Sequence, residues 1–486
     1  MRTMFRRVAP VALVAALLAV PVTTLAARQR ASSAPHPVPA ADWTTYHHDV
    51  LRTGDGVVHG TFTTLHPKVS WHLPAATPTD KIYASPLVIG TTAYVTTLQN
   101  RVYAISLTTG HQLWTRTLGA AYTQPSGVCG DIHPNVGIVS TPVIDEGRGE
   151  LFVVATLGRG TGGTVPGHRL FGVSTATGRI LLNRYVDPPG QQAVYLLQRV
   201  SLAIAKGRVV FGFGGNGGDC GTYHGWVISV PEYGTGVIDR YEVAAGPGQG
   251  RGAVWMGGAA PVVDRAGNVY VADGNGNATN ATDAYDYSDA VLKLTPTMHL
   301  LDWFAPTTWY TDNLHDSDLG SSAPQLLPNG KLLAIGKTQT VYVLNPSNLG
   351  HIDGAVPTFP LCTEGAGGVA MGGDTIAGSL VVVACTNGLD AAAFSSSPPY
   401  GAKAWTQPLT NGPAVYAAGL LWSIGLVYPA HVKIGTGTLY GLDPATGNVK
   451  VQYVVGLVQN HFPTPAIGDN MVVVATDSSL LAFAPG

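Results

Sequence analysis

Residues 100–114 read NRVYAISLTTGHQLW, and this stretch recurs with little change in two other parts of the chain. Residues 168–182 read HRLFGVSTATGRILL and residues 437–451 read GTLYGLDPATGNVKV, so the three copies align without gaps. A weaker copy that lacks the threonine, TVYVLNPSNLG, occupies residues 340–350. Alternating apolar residues predict a strand, the Thr-Gly pair predicts a turn, and a second strand follows. The copies therefore indicate a repeated hairpin, which is typical of an all-β repeat protein.

A second repeated element precedes the hairpins and consists of a small residue, a proline and a short apolar run. It occurs at Pro86, Pro142, Pro261, Pro324 and Pro465. The longest steps between these prolines leave room for one degraded unit near residues 201–203 and for two more near Met371 and Pro413. Units of four short strands cannot bury their faces alone. Eight of them predict an all-β, eight-bladed β-propeller with four-stranded blades.

The two ends of the chain are expected to meet in the last blade. Residues 462–485 supply only inner strands, whereas residues 68–73, KVSWHL, look like a stray outer strand. Pairing them would close the ring and remove two exposed sheet edges. Separate β-sandwiches are the alternative, but no linker supports them. We therefore predict a single propeller domain over residues 42–486.

The composition excludes several classes of protein. Apolar residues make up 45% of the chain, which argues against disorder. Charged residues make up only 12%, and the abundant glycine, valine and threonine favour strands and tight turns over surface helices. The net charge is −2 and there is no run of Lys or Arg, so we expect no nucleic-acid partner.

The N-terminus has the three-part layout of a secretory signal. A basic segment, residues 1–7, precedes an apolar segment, residues 8–20, and small residues precede Ala27. We predict a signal peptide over residues 1–26 and a flexible lead-in over residues 27–41. An uncleaved anchor is the alternative, which two prolines weaken. The expected product is a secreted or extracytoplasmic monomer without stable membrane insertion after cleavage.

Four cysteines are an even count for an exported chain, so we expect oxidation. Cys362 and Cys385 are close in sequence and suit a link between adjacent strands, which leaves Cys129 with Cys220. Three connectivities are compatible with the sequence alone.

The repeat unit resembles that of the pyrroloquinoline quinone (PQQ) propellers, the quinoprotein alcohol dehydrogenase-like superfamily. It shares the aromatic residue, Ala, aliphatic residue and turn, then Thr-Gly and Trp, and the resemblance covers Trp43 to the end of the chain. That superfamily holds quinoprotein alcohol dehydrogenases and cofactor-free relatives such as outer-membrane assembly scaffolds. The repeat is specific for the fold, whereas activity has to be argued from the site.

The resemblance implies PQQ and calcium as cofactors and assigns roles to several residues. A quinoprotein needs a Ca²⁺ with oxygen ligands, a carboxylate base, a flat floor under the quinone and a cation beside it. Trp255 looks like the floor, Asn275 like a calcium ligand and Lys337 like the cation. Asp318 resembles the catalytic base, with Asp316 as the second choice. The structural alternatives are a core aromatic residue, a turn, an exposed lysine and turn caps.

Two departures from the family pattern weaken the dehydrogenase hypothesis. The dehydrogenases have two adjacent cysteines, whereas here Gly130 follows Cys129. Cys220 stands where the family places a glutamate on the metal, and Asp219 is one residue away from that position. We keep Asp219 as a candidate metal ligand. Because both substituted positions lie beside one pocket in the family, we predict a Cys129–Cys220 disulfide.

Three functions follow from these observations. The sequence favours a propeller with a degraded quinoprotein site that binds a small-molecule or protein ligand at its central face and needs no cofactor. The alternative is an active PQQ- and calcium-dependent dehydrogenase for an alcohol or a polymer hydroxyl, and the third is an assembly scaffold. No Cys-x-x-Cys-His motif is present, so electrons would leave through a separate acceptor.

Overall fold

Eight antiparallel blades make up the fold in a computed structural model that describes residues 42–74, 79–217, 219–352, 354, 356–364, 368–427, 434–459 and 462–486. The predicted signal peptide and lead-in, residues 1–41, lie outside the described residues. All of the described residues fall within one contact unit, His36–Gly486. In the part of the chain that the structure describes, no helix is both long and apolar enough to span a bilayer.

The strands of the first half of the chain are β1 (Pro67–His72), β2 (Leu87–Ile89), β3 (Thr92–Thr96), β4 (Arg101–Ser106), β5 (Gln112–Thr117), β6 (Tyr122–Thr123), β7 (Asn135–Val136), β8 (Val143–Asp145), β9 (Glu150–Arg159), β10 (Val165–Ser174), β11 (Ile180–Tyr185), β12 (Leu196–Leu197), β13 (Ala203–Ile204), β14 (Arg208–Gly215), β15 (Trp226–Pro231), β16 (Asp239–Glu242) and β17 (Arg251–Ala253). Three-residue 3₁₀ turns occupy Thr161–Gly163 and Ala193–Tyr195.

The strands of the second half are β18 (Val262–Val263), β19 (Val269–Ala272), β20 (Gly274–Gly276), β21 (Val291–Leu294), β22 (Leu300–Phe304), β23 (Gln325–Leu326), β24 (Leu332–Ile335), β25 (Thr340–Leu344), β26 (Thr358–Pro360), β27 (Thr375–Ala377), β28 (Leu380–Cys385), β29 (Gly388–Phe394), β30 (Gly401–Gln407), β31 (Val415–Ala417), β32 (Leu420–Val427), β33 (Ile434–Leu442), β34 (Val449–Gln459), β35 (Ala466–Gly468), β36 (Met471–Ala475) and β37 (Ser479–Phe483). The helical segments are α1 (Trp309–Leu314) and the 3₁₀ turns Met256–Gly258 and Leu319–Ser321.

The blades follow the chain in order. Blade 1 is β2–β5, blade 2 is β8–β11, blade 3 is β13–β16 and blade 4 is β18, β19, β21 and β22. Blade 5 is β23–β26, blade 6 is β27–β30, blade 7 is β31–β34 and blade 8 is β35–β37 with β1. Strand β12 adds to the end of β14, and two small sheets, β6–β7 and β17–β20, lie between blades.

The structure confirms the eight-bladed propeller that the repeats predict. The three close copies of the hairpin form β4–β5, β10–β11 and β33–β34, and the degraded units become blades 3, 6 and 7. The closing strand is also confirmed, because β1 pairs with β37 from Val69 opposite Ala482 to His72 opposite Ser479. Trp71 on β1 is buried and packs on Tyr103 of blade 1, with ring centroids 5.0 Å apart.

The N-terminal belt, residues 43–56, was not predicted. It contacts the inner strand, or the residue before it, of all eight blades in their chain order. Its partners in blades 1 to 8 are Val88, Ile144, Leu202, Val263, Gln325, Ile376, Tyr416 and Ile467. Most of these contacts are backbone hydrogen bonds, such as Trp43 N to Val88 O at 2.8 Å and Tyr416 N to Gly54 O at 2.7 Å. A segment that touches every inner strand lies across the central channel.

Arg52 is fully buried and stabilises the belt through hydrogen bonds. Its guanidinium donates to Pro261 O at 3.0 Å, Thr45 Oγ1 at 2.7 Å and Asp49 O at 2.8 Å. Burial lowers the pKa of Arg52 to about 10, so the side chain stays charged at neutral pH. The belt contacts each inner strand at its first or second residue or, in blade 3, at the residue before it, whereas several of the loops that precede these strands line a pocket.

Candidate functional site

A cavity of about 610 Å³ lies at the end of the channel opposite the belt. Its walls come from loops that precede inner strands and from the ends of second strands of several blades. Five of the six predicted site residues line it, namely Asp219, Trp255, Asn275, Asp316 and Lys337. The sixth, Asp318, lies behind this wall and is fully buried. The volume is within the range of small-molecule and cofactor sites.

Trp255 and Asn275 are held next to each other by a small sheet. Strand β17 pairs with β20, so that Ala253 lies opposite Gly274, and both predicted residues leave this pair toward the cavity. The 3₁₀ turn after Trp255 contains Gly257 and Gly258 with φ of 54° and 81°, which a glycine adopts without strain. The half-buried indole thereby faces the cavity beside the ammonium group of Lys337, 5.6 Å from the ring centroid.

Lys337 joins the two candidate bases. Its Nζ lies 2.6 Å from Asp316 Oδ1 and 2.5 Å from Asp318 Oδ1. Burial raises the pKa of Asp318 to about 6, since the positive charge of Lys337 and a hydrogen bond from Trp255 only partly offset the loss of water. Burial alone would lower the pKa of Lys337, but the two carboxylates outweigh it and raise that pKa.

Two glycines leave the space that Asp318 occupies. A Cβ at Gly274 would overlap Asp318 Cβ and lie 2.5 Å from Oδ2, and a Cβ at Gly336 would lie 2.5 Å from Asp318 O. The backbone N–H of Lys337 also donates to Asp318 O at 3.1 Å. Side chains at these positions would push Asp318 away from Lys337.

Asp219 faces Asn275 across the edge of the cavity. Strand β14 ends at Gly215, and Asp219 lies in the following loop with φ of 51°, so the alternation of side chains along a strand no longer applies. Asn275 Nδ2 donates to Asp219 Oδ2 at 2.6 Å, and Tyr223 OH donates to Oδ1 at 2.5 Å. Cys220 points to the disulfide instead.

The Asp219–Asn275 pair offers oxygen atoms to a cation. Asn275 Oδ1 is buried and has no hydrogen-bond partner among the described residues, and a carboxylate lies beside it. An amide oxygen and a carboxylate are the donors that Ca²⁺ prefers. A cation there would need further oxygen donors, because the described part of the chain contains no group of three or more His, Cys, Asp or Glu residues placed to hold a metal.

Both predicted disulfides are present. Cys129–Cys220 connects the loop between blades 1 and 2 with the loop of blade 3 at the cavity, with 5.9 Å between Cα atoms. Cys362–Cys385 connects the loop between blades 5 and 6 with the end of β28 in blade 6. Gly130 has no room for the second cysteine of the family pattern, because a Cβ there would lie 2.8 Å from Asn216 Oδ1 and overlap the amide of Gln124.

Sequence reasoning missed Arg199 and Asp131 on the cavity wall. Arg199 is almost fully buried and donates to Val139 O at 3.1 Å. Burial lowers the pKa of Arg199, although the charge of Asp131 opposes this. Arg199 precedes a degraded unit and matches no family motif. A lone arginine in an apolar stretch was the only available signal.

Among the described residues, the charged groups around the cavity do not balance at neutral pH. Asp131, Asp219 and Asp316 line it with Asp318 behind, against Arg199 and Lys337. With all of these groups ionised, the carboxylates exceed the cations by two. The site is therefore complementary to a divalent cation or to a positively charged ligand.

The sequence of residues 55–294 matches a PQQ-repeat family whose description is outer membrane protein assembly factor BamB. No curated protein matches the chain. Among solved structures, quinohemoprotein alcohol dehydrogenase from Comamonas testosteroni is similar with a TM-score of 0.65 and 16% identity, over 91% of this chain and 80% of that one.

A europium-containing methanol dehydrogenase gives a TM-score of 0.65 at 14% identity, over 92% of this chain and 98% of that one. BamB from Moraxella catarrhalis gives a TM-score of 0.52 at 12% identity, over 87% of this chain and 98% of that one. Likenesses at this level of identity concern the fold.

Proposed function

Since the chain is a PQQ-like β-propeller, we propose that its central cavity binds a quinone cofactor of the PQQ type together with a divalent cation and oxidises an alcohol. One observation carries this proposal: Trp255, Lys337 and Asp318 form one contacting cluster, and the Asp219–Asn275 pair lies at the same cavity. Five residues from separate parts of the chain between positions 219 and 337 thus supply a floor, a cation, a base and a cation-binding edge. This convergence favours the dehydrogenase over the cofactor-free binding protein that the sequence alone suggests.

Each side chain has a role in the proposal. The indole of Trp255 would support one face of a flat ring, and Asn275 Oδ1 with the carboxylate of Asp219 would hold the cation. When bound, a quinone polarised by a cation supplies a two-electron acceptor. The positive charge of Lys337 would favour negative charge on the quinone oxygens.

Asp318 would accept the hydroxyl proton of the alcohol. A pKa of about 6 leaves it ionised at neutral pH and still basic enough for proton transfer. Asp316 is the more exposed carboxylate and would hold Lys337 in place. Since Asp318 lies behind the wall, the substrate would reach it through a shift of Lys337.

We also propose that the protein is exported and works outside the cytoplasm. Two disulfides are typical of proteins that fold in oxidising compartments, which agrees with the predicted signal peptide. The electron acceptor would then be a separate extracytoplasmic protein.

The second candidate function is binding of a positively charged ligand without a cofactor. The excess of carboxylates favours it, because Lys337 already forms ion pairs with two aspartates. In that case an organic cation would occupy the space between Trp255 and Asp219.

The test is a titration of the purified chain with PQQ, with and without Ca²⁺, by absorbance and calorimetry. We expect saturable binding that is lost in Trp255→Ala and Asn275→Gly. The glycine avoids strain at Asn275, where φ is 56°. Controls are Trp303→Ala, on outer strand β22, and Asn470→Gly, which removes another asparagine at a left-handed position.

Turnover then separates the two carboxylates. With a dye as electron acceptor, Asp318→Asn should abolish alcohol oxidation and leave PQQ binding in place, whereas Asp316→Asn should retain part of the rate. Absence of PQQ binding in folded protein would contradict the proposal, and saturable binding of a quaternary amine would then favour the second candidate.

A further inference from the structure

Blades 1 and 2 are built from stretches of sequence that contain arginines and almost no carboxylates. Residues 81–130 and 151–186 contain no Asp or Glu, and the second stretch contains four arginines. These stretches form all of blade 1 and, except for Glu150, strands β9–β11 of blade 2. Glu150 is buried and forms an ion pair with Arg148 at 2.7 Å. The outer parts of these two blades are therefore positively charged.

Four of these arginines have exposed or half-buried side chains and form no ion pair with a carboxylate of the described residues, namely Arg116, Arg159, Arg169 and Arg179. Their hydrogen bonds go to neutral groups. Arg116 Nε donates to Gly178 O at 2.7 Å, and Arg169 Nε donates to the side-chain oxygen of Asn183. A neutral partner orients a guanidinium group and leaves its charge uncompensated.

Strand β11, the outer strand of blade 2, exposes large apolar side chains beside these charges. Ile180, Leu181 and Tyr185 are between 37% and 49% exposed. No other outer strand in the described part of the chain exposes more than two such side chains. β11 lies at the edge of its sheet, so these side chains are on the outside of the ring.

The charged and the apolar side chains belong to one surface. Burial and Asp187 raise the pKa of Tyr185 to about 12, and the positive charges of Arg159 and Arg169 oppose this rise, so both arginines are near the phenol. Asp187 is itself buried and hydrogen-bonded to His168 Nδ1 at 2.5 Å. We call the combined surface the blade 2 rim, which consists of Arg159, Arg169, Arg179, Ile180, Leu181 and Tyr185.

The composition of the blade 2 rim selects its partner. Arginines alone are enough to keep an outer strand from pairing with another chain, so the apolar side chains between them need a separate reason. Exposed apolar surface is covered favourably by an apolar partner. A second copy of this chain would bring the same positive charges and be repelled. Phosphate groups above hydrocarbon match both kinds of side chain, because arginine pairs with phosphate, and leucine and tyrosine enter the headgroup region.

We propose that the blade 2 rim binds the surface of an anionic phospholipid bilayer, so that the propeller rests on a membrane without spanning it. Arg169 and Arg179 pair with lipid phosphates, while Leu181 and Tyr185 lie among the headgroups. The contact extends about 17 Å along β11, from Ile180 to Tyr185. Because the rim is on the side of the ring, the cavity at the end of the channel stays open, and the proposal does not depend on the quinone site.

The test is cosedimentation of the purified chain with vesicles of phosphatidylglycerol and with vesicles of phosphatidylcholine. We expect binding to the anionic vesicles alone. The binding should be lost in about 1 M NaCl, where the Debye length falls to about 3 Å. Equal binding to both kinds of vesicle would overturn the proposal.

Charge variants locate the surface. Arg169→Gln with Arg179→Gln should lower the partition coefficient about thirtyfold, because each arginine at an anionic surface contributes about fivefold. The matched control is Lys68→Gln with Arg265→Gln, which removes two exposed positive charges from blades 8 and 4 and should keep wild-type binding. All variants have the same N-terminus, so the difference between the two pairs reports on the rim. Equal binding by both pairs would overturn the proposal.

An apolar variant tests the second half of the surface. Leu181→Asn should lower the partition coefficient about fivefold. Val454→Asn changes a side chain that is 62% exposed on the outer strand of blade 7, and it should have no effect. Thermal melting checks that each variant is folded. Binding of polyglutamate without binding of vesicles would overturn the proposal and favour an acidic protein as the partner.

Discussion

The Cys129–Cys220 disulfide offers a sharp test of the site, because the second disulfide is a built-in control. We predict that Cys129→Ser with Cys220→Ser weakens both folding and cofactor binding, whereas Cys362→Ser with Cys385→Ser weakens folding alone. The first pair joins two loops at the cavity, one of them carrying Asp219. The second pair joins the loop between blades 5 and 6 to the end of β28 in blade 6.

The sequence separations set the expected loss of stability. Cys129 and Cys220 are 91 residues apart, and the entropy of closing such a loop corresponds to about 4.6 kcal/mol in the free energy of unfolding. The 23-residue separation of Cys362 and Cys385 corresponds to about 3.4 kcal/mol. Urea unfolding without reductant, followed by tryptophan fluorescence, should therefore show a larger loss for the first pair.

Cofactor affinity should separate the pairs more clearly. Without the disulfide, the loop of Asp219 has to be ordered again on binding, at a cost of about 1–2 kcal/mol per residue, or roughly tenfold in Kd for each. The control pair should stay near the wild-type affinity, because backbone hydrogen bonds to Val369 hold Thr386, the cavity residue beside Cys385. Equal affinities for both double variants would refute the role that we give to this loop.

Three further predictions concern the cluster and the belt. Lys337→Met removes the positive charge that lowers the pKa of Asp318. The acid limb of the pH profile of alcohol oxidation should therefore move upward from about pH 6, by roughly two pH units. Lys331→Met, which removes a lysine over the ring of Tyr400 in blades 5 and 6, should leave the limb in place. Gly274→Ala should abolish PQQ binding and lower the free energy of unfolding by about 1–3 kcal/mol, because its Cβ overlaps Asp318. Arg52→Met should lower the free energy of unfolding in urea by about 3–5 kcal/mol, because buried carbonyls of the belt and blade 4 lose their hydrogen-bond donor. A loss below about 1 kcal/mol would contradict this role of the belt.

The fold was predictable because its information is local and repeated. The sequence of each hairpin is enough to predict its two strands and its turn. The unpaired strand predicted at residues 68–73 completes the edge of blade 8, where it pairs with β37. The belt was not predictable, because residues 43–56 show no hydrophobic periodicity. Their contacts with the blades are mostly backbone hydrogen bonds, which do not depend on the pattern of side chains.

The site was predictable only where the resemblance supplied motifs. Trp255, Asn275 and Lys337 meet at one cavity, and their proposed roles stay predictions. Asp219 looked misplaced because strand alternation was applied to a residue that lies in a loop with a left-handed backbone. Met371, Leu426 and Phe462 also line the cavity, and ordinary apolar residues such as these give no signal in the sequence that they face a cavity.

The burial of Asp318 could not be predicted from the sequence either. Its neighbours Gly274 and Gly336 are distant from it along the chain, and only the packed structure shows that the absence of their side chains leaves space for Asp318. The pKa of about 6 is a consequence of that packing.

The most direct test of the central claim is the calcium dependence of PQQ binding to the purified chain, measured by calorimetry with Ca²⁺ and with EDTA. The excess of carboxylates around the cavity predicts tight, saturable, one-to-one binding with Ca²⁺ and a loss of at least a hundredfold in affinity with EDTA. Binding that is equally tight in EDTA would contradict the role of Asp219 and Asn275, and no binding in either condition would contradict the quinone site itself.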